Sequence, residues 1–179
     1  FKILELPDLT ANSKANIISR LDHFYSLDST DNEYHKLSTW VDTLEKIPFG
    51  KYIDMPVKAK EHQFEVGNFL CGTRKVLDEA VFGHDEAKDK IIIEIAKQIS
   101  NPEGIGACIG IQGPPGNGKT TLVKEGISKM INRPFEFISL GGATDSCYLD
   151  GHSYTYEGSI PGKIVDILKR AKCMNPVIY

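Results

Sequence analysis

Apolar side chains recur at helical spacing in the first part of the chain. Ile17, Ile18, Leu21, Phe24 and Tyr25 form one stripe over residues 12–27, which the polar run Ser29-Thr30-Asp31-Asn32 ends. Tyr34, Leu37, Val41 and Leu44 form a second over 32–47, stopped by Pro48 and Gly50. Heptad-like spacing over so few turns predicts a pair of helices and not a long coiled coil. Residues 51–56 read as an extended connector. Helical character resumes over 66–80 although Gly67 and Gly72 weaken it, and Gly83 breaks it. Asp85 is placed to cap the next helix, whose buried face is Ile91, Ile92, Ile95, Ala96 and Ile99 and which ends at Asn101-Pro102.

The pattern then alternates. Residues 107–112 predict a short apolar strand, 119–131 a helix, 135–140 a strand, 160–173 a helix, and Val177 opens another strand. Strand and helix in alternation predict an α/β fold with a parallel sheet. A boundary is expected near residue 73, with a small helical segment and linker over 1–60 and the α/β domain over 73–179.

Composition narrows the class. With 179 residues, 41% hydrophobic and 25% charged, the chain can bury one sizeable core. A net charge of -3 and a pI near 6.0 supply no basic field for a phosphate backbone, so nucleic acid is not the expected partner. Apolar runs such as Ile91-Ile92-Ile93 are far short of the roughly 20 residues that span a bilayer, so no membrane segment is expected. Cys71, Cys108, Cys147 and Cys173 are widely spaced and form no metal-ligand pattern, which reads as buried or idle thiols. The five histidines, His23, His35, His62, His84 and His152, pair with no nucleophile or second ligand in sequence and are expected to be structural. The chain opens at Phe1 without Met and stops inside the apolar run Val177-Ile178-Tyr179, and is therefore read as a piece of a longer protein.

One segment carries specific chemistry. Gly113-Pro114-Pro115-Gly116-Asn117-Gly118-Lys119-Thr120 fits G-x-x-x-x-G-K-[ST] between a predicted strand and a predicted helix. Glycines allow successive backbone N–H groups to turn inward around a phosphate, and the helix N-terminus adds partial positive charge. Lys119 would reach the β and γ phosphates of ATP, and the Thr120 hydroxyl would face Mg²⁺.

The stretch C-terminal to this loop resembles the Lon family of AAA+ proteases. The resemblance runs from about Tyr34 to Tyr179. It rests on Ile138-Ser139-Leu140-Gly141-Gly142, then Asp145, Gly151-His152, Thr155-Tyr156, Gly158 and Pro161-Gly162-Lys163-Ile164. Upstream, Trp40-Val41, the turn Ile47-Pro48-Phe49-Gly50-Lys51 and Val76-Leu77-Asp78-Glu79 leading into Phe82-Gly83 are similar to the same family. The resemblance implies an incomplete P-loop AAA+ sheet with flanking helices, preceded by a small helical segment. Val81, Phe82 and Gly83 would lie against adenine, core packing being the other reading of Phe82. Tyr156 would be the aromatic of a substrate-gripping pore loop. Glu157 stands where the family carries an aliphatic residue, Asp150 where a basic one is usual, and Ser153-Tyr154 replace a basic pair.

The resemblance also implies an ATP-driven hexamer that pulls unfolded protein into a serine-lysine peptidase chamber, in the cytoplasm or an organelle. An unfoldase without a peptidase, or a nucleotide-binding module that does not turn over, are the rival readings. The acidic pair, the sensors, the arginine finger and the Ser-Lys dyad of the family would all lie beyond Tyr179. With the family's sheet order 5-1-4-3-2, the strand at 107–112 would lose both neighbours if the chain ended there, leaving an isolated piece marginal in stability.

Overall fold

A computed structural model describes residues 2–5, 9–58, 63–102, 104, 106–141, 145–151 and 161–179. They divide into two compact units, one of Phe1–Tyr52 with Ile138–Met174 and one of Ile53–Phe137 with Asn175–Tyr179.

The first unit contains the expected helix pair, α1 (Ala11–Ser26) and α2 (Asn32–Lys46). Thr10 caps α1, its hydroxyl accepting from the Ser13 N–H at 3.2 Å. Ile17 and Leu21 of α1 bury against Leu44 of α2, with Trp40, Val41 and Phe49 around them. Phe24 stacks on Tyr34 with centroids 5.0 Å apart, and the Arg20 guanidinium lies 5.0 Å from the Trp40 ring centre, a cation–π contact. Ile18 and Tyr25 belong to the predicted stripe but are exposed, because the α2 contact covers a narrower face than that stripe. The same unit holds a short helix that the apolar pattern did not predict, α6 (Cys147–Asp150), and α7 (Lys163–Ala171). Helix α7 begins three residues later than predicted; it turns out at Lys172, which is left-handed at φ 55°. Ile167 is its buried anchor.

The second unit has the larger core. Helices α3 (Gln63–Ala80) and α4 (Asp85–Ser100) pack with the segment that starts at α5 (Lys119–Thr121) and continues through a π-helical turn, Leu122–Ser128. Leu77, Ile91, Ile95, Ile99, Leu122, Val123, Ile127, Met130 and Ile131 are buried together. Full burial of such a side chain stabilises by about 1.5–3 kcal/mol. The Leu77 side chain of α3 and the π-turn approach closely at Gly126, where an added Cβ would stand 2.8 Å from Leu77 Cδ2. The connector at 51–56 is extended as expected, and the Asn175 side-chain amide pairs with both backbone groups of Ile53, at 2.9 Å each.

β1 (Phe135–Glu136) and β2 (Val177–Ile178) pair in parallel, Phe135 opposite Val177 and Glu136 opposite Ile178. The Val177 N–H donates to Pro134 O and the Tyr179 N–H to Glu136 O, both at 2.9 Å. Parallel pairing between helical stretches bears out the α/β reading. Two expectations need correction. The strand predicted over 135–140 is two residues long, with Phe137 and Leu140 exposed beyond it. The strand predicted over 107–112 does not form: the segment bonds to no ladder partner among the described residues, and Ile109 is 41% exposed. Apolar pattern marks a segment able to be a strand, whereas ladder hydrogen bonds make it one.

Candidate functional site: the phosphate loop

The loop at 113–118 leads directly into α5. Gly116 and Gly118 lie at φ 77° and 84°, a left-handed region that side-chain-bearing residues enter at a cost, so glycine at these two positions is a backbone requirement. At Gly118 an added Cβ would also stand 3.0 Å from Val81 Cγ1. Among the described residues, nothing accepts from the backbone N–H groups of Gly116, Asn117 and Gly118. Pro114 and Pro115 have no N–H to offer. The loop thus presents backbone donors without acceptors among the described residues at a helix start, an arrangement that suits an anion.

Lys119 stands at the centre of this loop. Its ammonium donates to Gly113 O at 2.9 Å, to Pro114 O at 2.5 Å and to Asn117 Oδ1 at 3.1 Å. An ammonium held by three neutral acceptors can exchange them for charged phosphate oxygens. Thr120 is exposed on the first helical turn, where its hydroxyl is accessible to a cation. No cluster of three His, Cys, Asp or Glu that could hold a metal occurs among the described residues.

The turn at 81–84 lies against this loop. Phe82 is 98% exposed, which rules out core packing for it. Val81 is half-buried against Gly118, and Gly83 is left-handed at φ 70°. His84 is left-handed too, at φ 59°, and stands at the N-cap of α4 where Asp85 was expected. Asp85 is instead the first helical residue and pairs with Arg74 of α3. An acid in the first turn still complements the helix dipole, so the helix start is close to its predicted place although the cap residue is different.

Two residues to which the sequence assigns no role stand close to the loop or behind it. His84 Nε2 meets Asn117 O at 3.2 Å, and a carbonyl can only accept, so the ring nitrogen donates. Lys88 of α4 is 1% exposed; its ammonium donates to Val81 O at 2.7 Å and to Asp78 Oδ1 at 2.8 Å. The hydrogen bond from Lys88 holds the Asp78 carboxyl below the ordinary carboxylate range; some loss of hydration opposes this, and Arg74 adds to it. Arg74 also pairs with Asp89 at 2.5 Å, so one guanidinium ties the end of α3 to the start of α4. A lysine on an amphipathic helix reads as solvated, and only the packing of α3 on α4 buries this one.

Of the thiols read as buried or idle, Cys173 is buried, Cys147 is half-buried, and Cys71 and Cys108 are exposed. A hydrogen bond to the Asp145 carboxylate, followed by desolvation, pushes the Cys147 thiol above its ordinary value. Beside the loop, a cavity of about 720 Å³ runs between α4 and residues 108–112. None of its lining residues belongs to 113–120, so we assign it to the unpaired strand segment and not to the phosphate site. Tyr156 and Glu157, with His62 and His152, lie outside the described residues.

The loop, the parallel pairing and the helix C-terminal to the loop define a P-loop nucleotide-binding fold. Residues 109–179 match the family described as ATPase family associated with various cellular activities (AAA). The relatives then narrow the class. The chain is 33% identical over 171 residues to the Lon protease of Wolbachia pipientis subsp. Culex pipiens, a match covering 94% of this chain and 19% of the relative. It is 34% identical over 164 residues to the Lon protease of Mycoplasma genitalium, covering 92% and 19%. To the mitochondrial Lon protease homolog of Saccharomyces cerevisiae it is 32% identical over 179 residues, covering 99% and 14%. Over nearly its whole length the chain is thus similar to a part of Lon-type AAA+ proteases. It spans about a fifth of the length of the first two relatives.

Proposed function

We propose that the chain is the ATP-binding front part of the motor of a Lon-type ATP-dependent serine protease, which unfolds and degrades proteins. The observation that carries this is the phosphate loop: Lys119 on exchangeable acceptors, among backbone donors that nothing among the described residues takes.

In this reading Gly113 to Gly118 enclose the phosphates, Lys119 shifts to the β and γ oxygens, and Thr120 holds Mg²⁺. Val81, the exposed Phe82 and Gly83 face the adenine, where an aromatic or aliphatic surface packs on the base. Mg·ATP supplies the free energy of phosphoryl transfer, and the loop residues bind and orient it. Residues 1–60 form the helical end of an N-terminal region and 73–179 the beginning of the AAA+ domain. Tyr156, next to Glu157, grips unfolded protein substrates in the pore of a homohexamer. No helix among the described residues is long and apolar enough to cross a membrane, and the exposed thiols of Cys71 and Cys108 suit a reducing compartment, the cytoplasm or an organelle matrix.

Lys119→Ala tests the reading. A charge-assisted hydrogen bond contributes about 1.5–3 kcal/mol, so Mg·ATP should bind roughly ten- to a hundredfold more weakly, measured by isothermal titration on the full-length protein. Unchanged affinity would refute the assignment of the loop.

A further inference from the structure

The turn at 81–84 touches the phosphate loop in two independent places. Val81 Cγ1 lies 3.0 Å from where a Gly118 Cβ would stand, and the His84 ring reaches Asn117 O at 3.2 Å. Behind the turn, the buried Lys88 ammonium holds Val81 O at 2.7 Å, and the Lys88 N–H holds His84 O at 3.0 Å. Val81 is anchored on its other side by its own N–H to Leu77 O, 3.2 Å. The turn is therefore fixed from the core side of α3 and α4, with two groups pointing at consecutive residues of the loop. His84 keeps a left-handed backbone without being glycine or asparagine.

On the loop side, Asn117 is the residue that both His84 and Lys119 share. Its carbonyl takes the His84 donor, while its side-chain oxygen takes the Lys119 ammonium. When Lys119 turns to a phosphate, Asn117 Oδ1, Gly113 O and Pro114 O all lose that donor together. The bond from His84 falls on a different atom of Asn117, its backbone carbonyl, and does not use Lys119 as a donor.

We propose that His84 is a positioning residue for the phosphate loop: by donating from Nε2 to Asn117 O it holds the loop open in its phosphate-receiving shape when Lys119 leaves the loop carbonyls. This rests on the assignment of 113–120 as a nucleotide phosphate site. It gives the turn a second task besides facing the base, since the same four residues then tie the base end of the nucleotide site to the phosphate end.

The test is isothermal titration of Mg·ADP into the full-length protein and three variants. His84→Gly keeps the left-handed backbone and removes only the ring. His84→Gln returns an N–H donor of similar reach. Lys119→Ala reports on the site itself. Loss of one neutral hydrogen bond should weaken Mg·ADP about three- to tenfold in His84→Gly. The Gln variant should recover most of that loss, and melting temperatures should match across the His84 series. Equal affinity in His84→Gly and the parent overturns the inference, as does a loss that Gln does not restore. If Lys119→Ala also binds like the parent, the phosphate-site reading falls with it; if only Lys119→Ala is impaired, that reading stands and the role of His84 alone is wrong.

Discussion

Lys119 and Lys88 share one chemistry and serve opposite ends. Lys119 is half-buried on loop oxygens that a phosphate can replace, whereas Lys88 is sealed between α3 and α4 on a carbonyl and a carboxylate. The pair of buried Lys88 and exposed Asp78 gives a pH signature. Asp78 titrates below its ordinary 3.8 in the folded chain, chiefly through the Lys88 hydrogen bond. A depressed folded value means that its stabilisation is complete above 3.8 and is lost as pH falls through the folded value. Thermal melts of the parent and Asp78→Asn should therefore converge as the pH drops below that window; a constant difference down to the lowest pH would remove Asp78 from the account. The thiols give a second residue-level expectation, because the thiolate is the reactive form. Iodoacetamide followed by mass mapping should label Cys71 and Cys108 first, Cys147 more slowly because Asp145 disfavours its thiolate, and Cys173 only on unfolding. Early labelling of Cys173 would contradict its burial.

Between elements, glycines that look alike in sequence differ in what surrounds them. Gly72 sits inside α3 with nothing within 4 Å of an added Cβ, so it carries only a helix-propensity penalty. Gly72→Ala should raise stability by about 0.5–1 kcal/mol. Gly126 faces fully buried Leu77, and Gly126→Leu should lower stability by about 1–3 kcal/mol through overpacking. Urea midpoints at unchanged slope check both, and a gain at Gly126 would show that the contact yields. The four long helices were legible because their signal is local: Leu37 and Leu44, or Ile91, Ile95 and Ile99, repeat within one element. The strands were less legible. Phe135 is paired and Phe137 is not, although both lie in one apolar run, because Val177 and Ile178 supply the ladder and come from far along the chain.

For the whole molecule, the described fold is two units, each with its own core, and one apolar segment that has the pattern of a strand without a ladder partner among the described residues. Amide hydrogen exchange on residues 1–179 should find 107–112 nearly unprotected while α3 and α4 exchange slowly. Strong protection of 107–112 in that chain would show a partner strand that the described residues lack. The sequence by itself determined the long helices and the glycine-lysine pattern of the phosphate loop, since each is written in spacing over a few consecutive residues. Glycines at 116 and 118 and the lysine after them are chemistry that no packing has to supply. Only the tertiary structure decided that Lys88 is buried, that Phe82 is exposed, that His84 reaches Asn117, and that 107–112 pairs with nothing described. Those outcomes depend on which distant segment comes to lie opposite, because burial and ladder pairing belong to two partners at once.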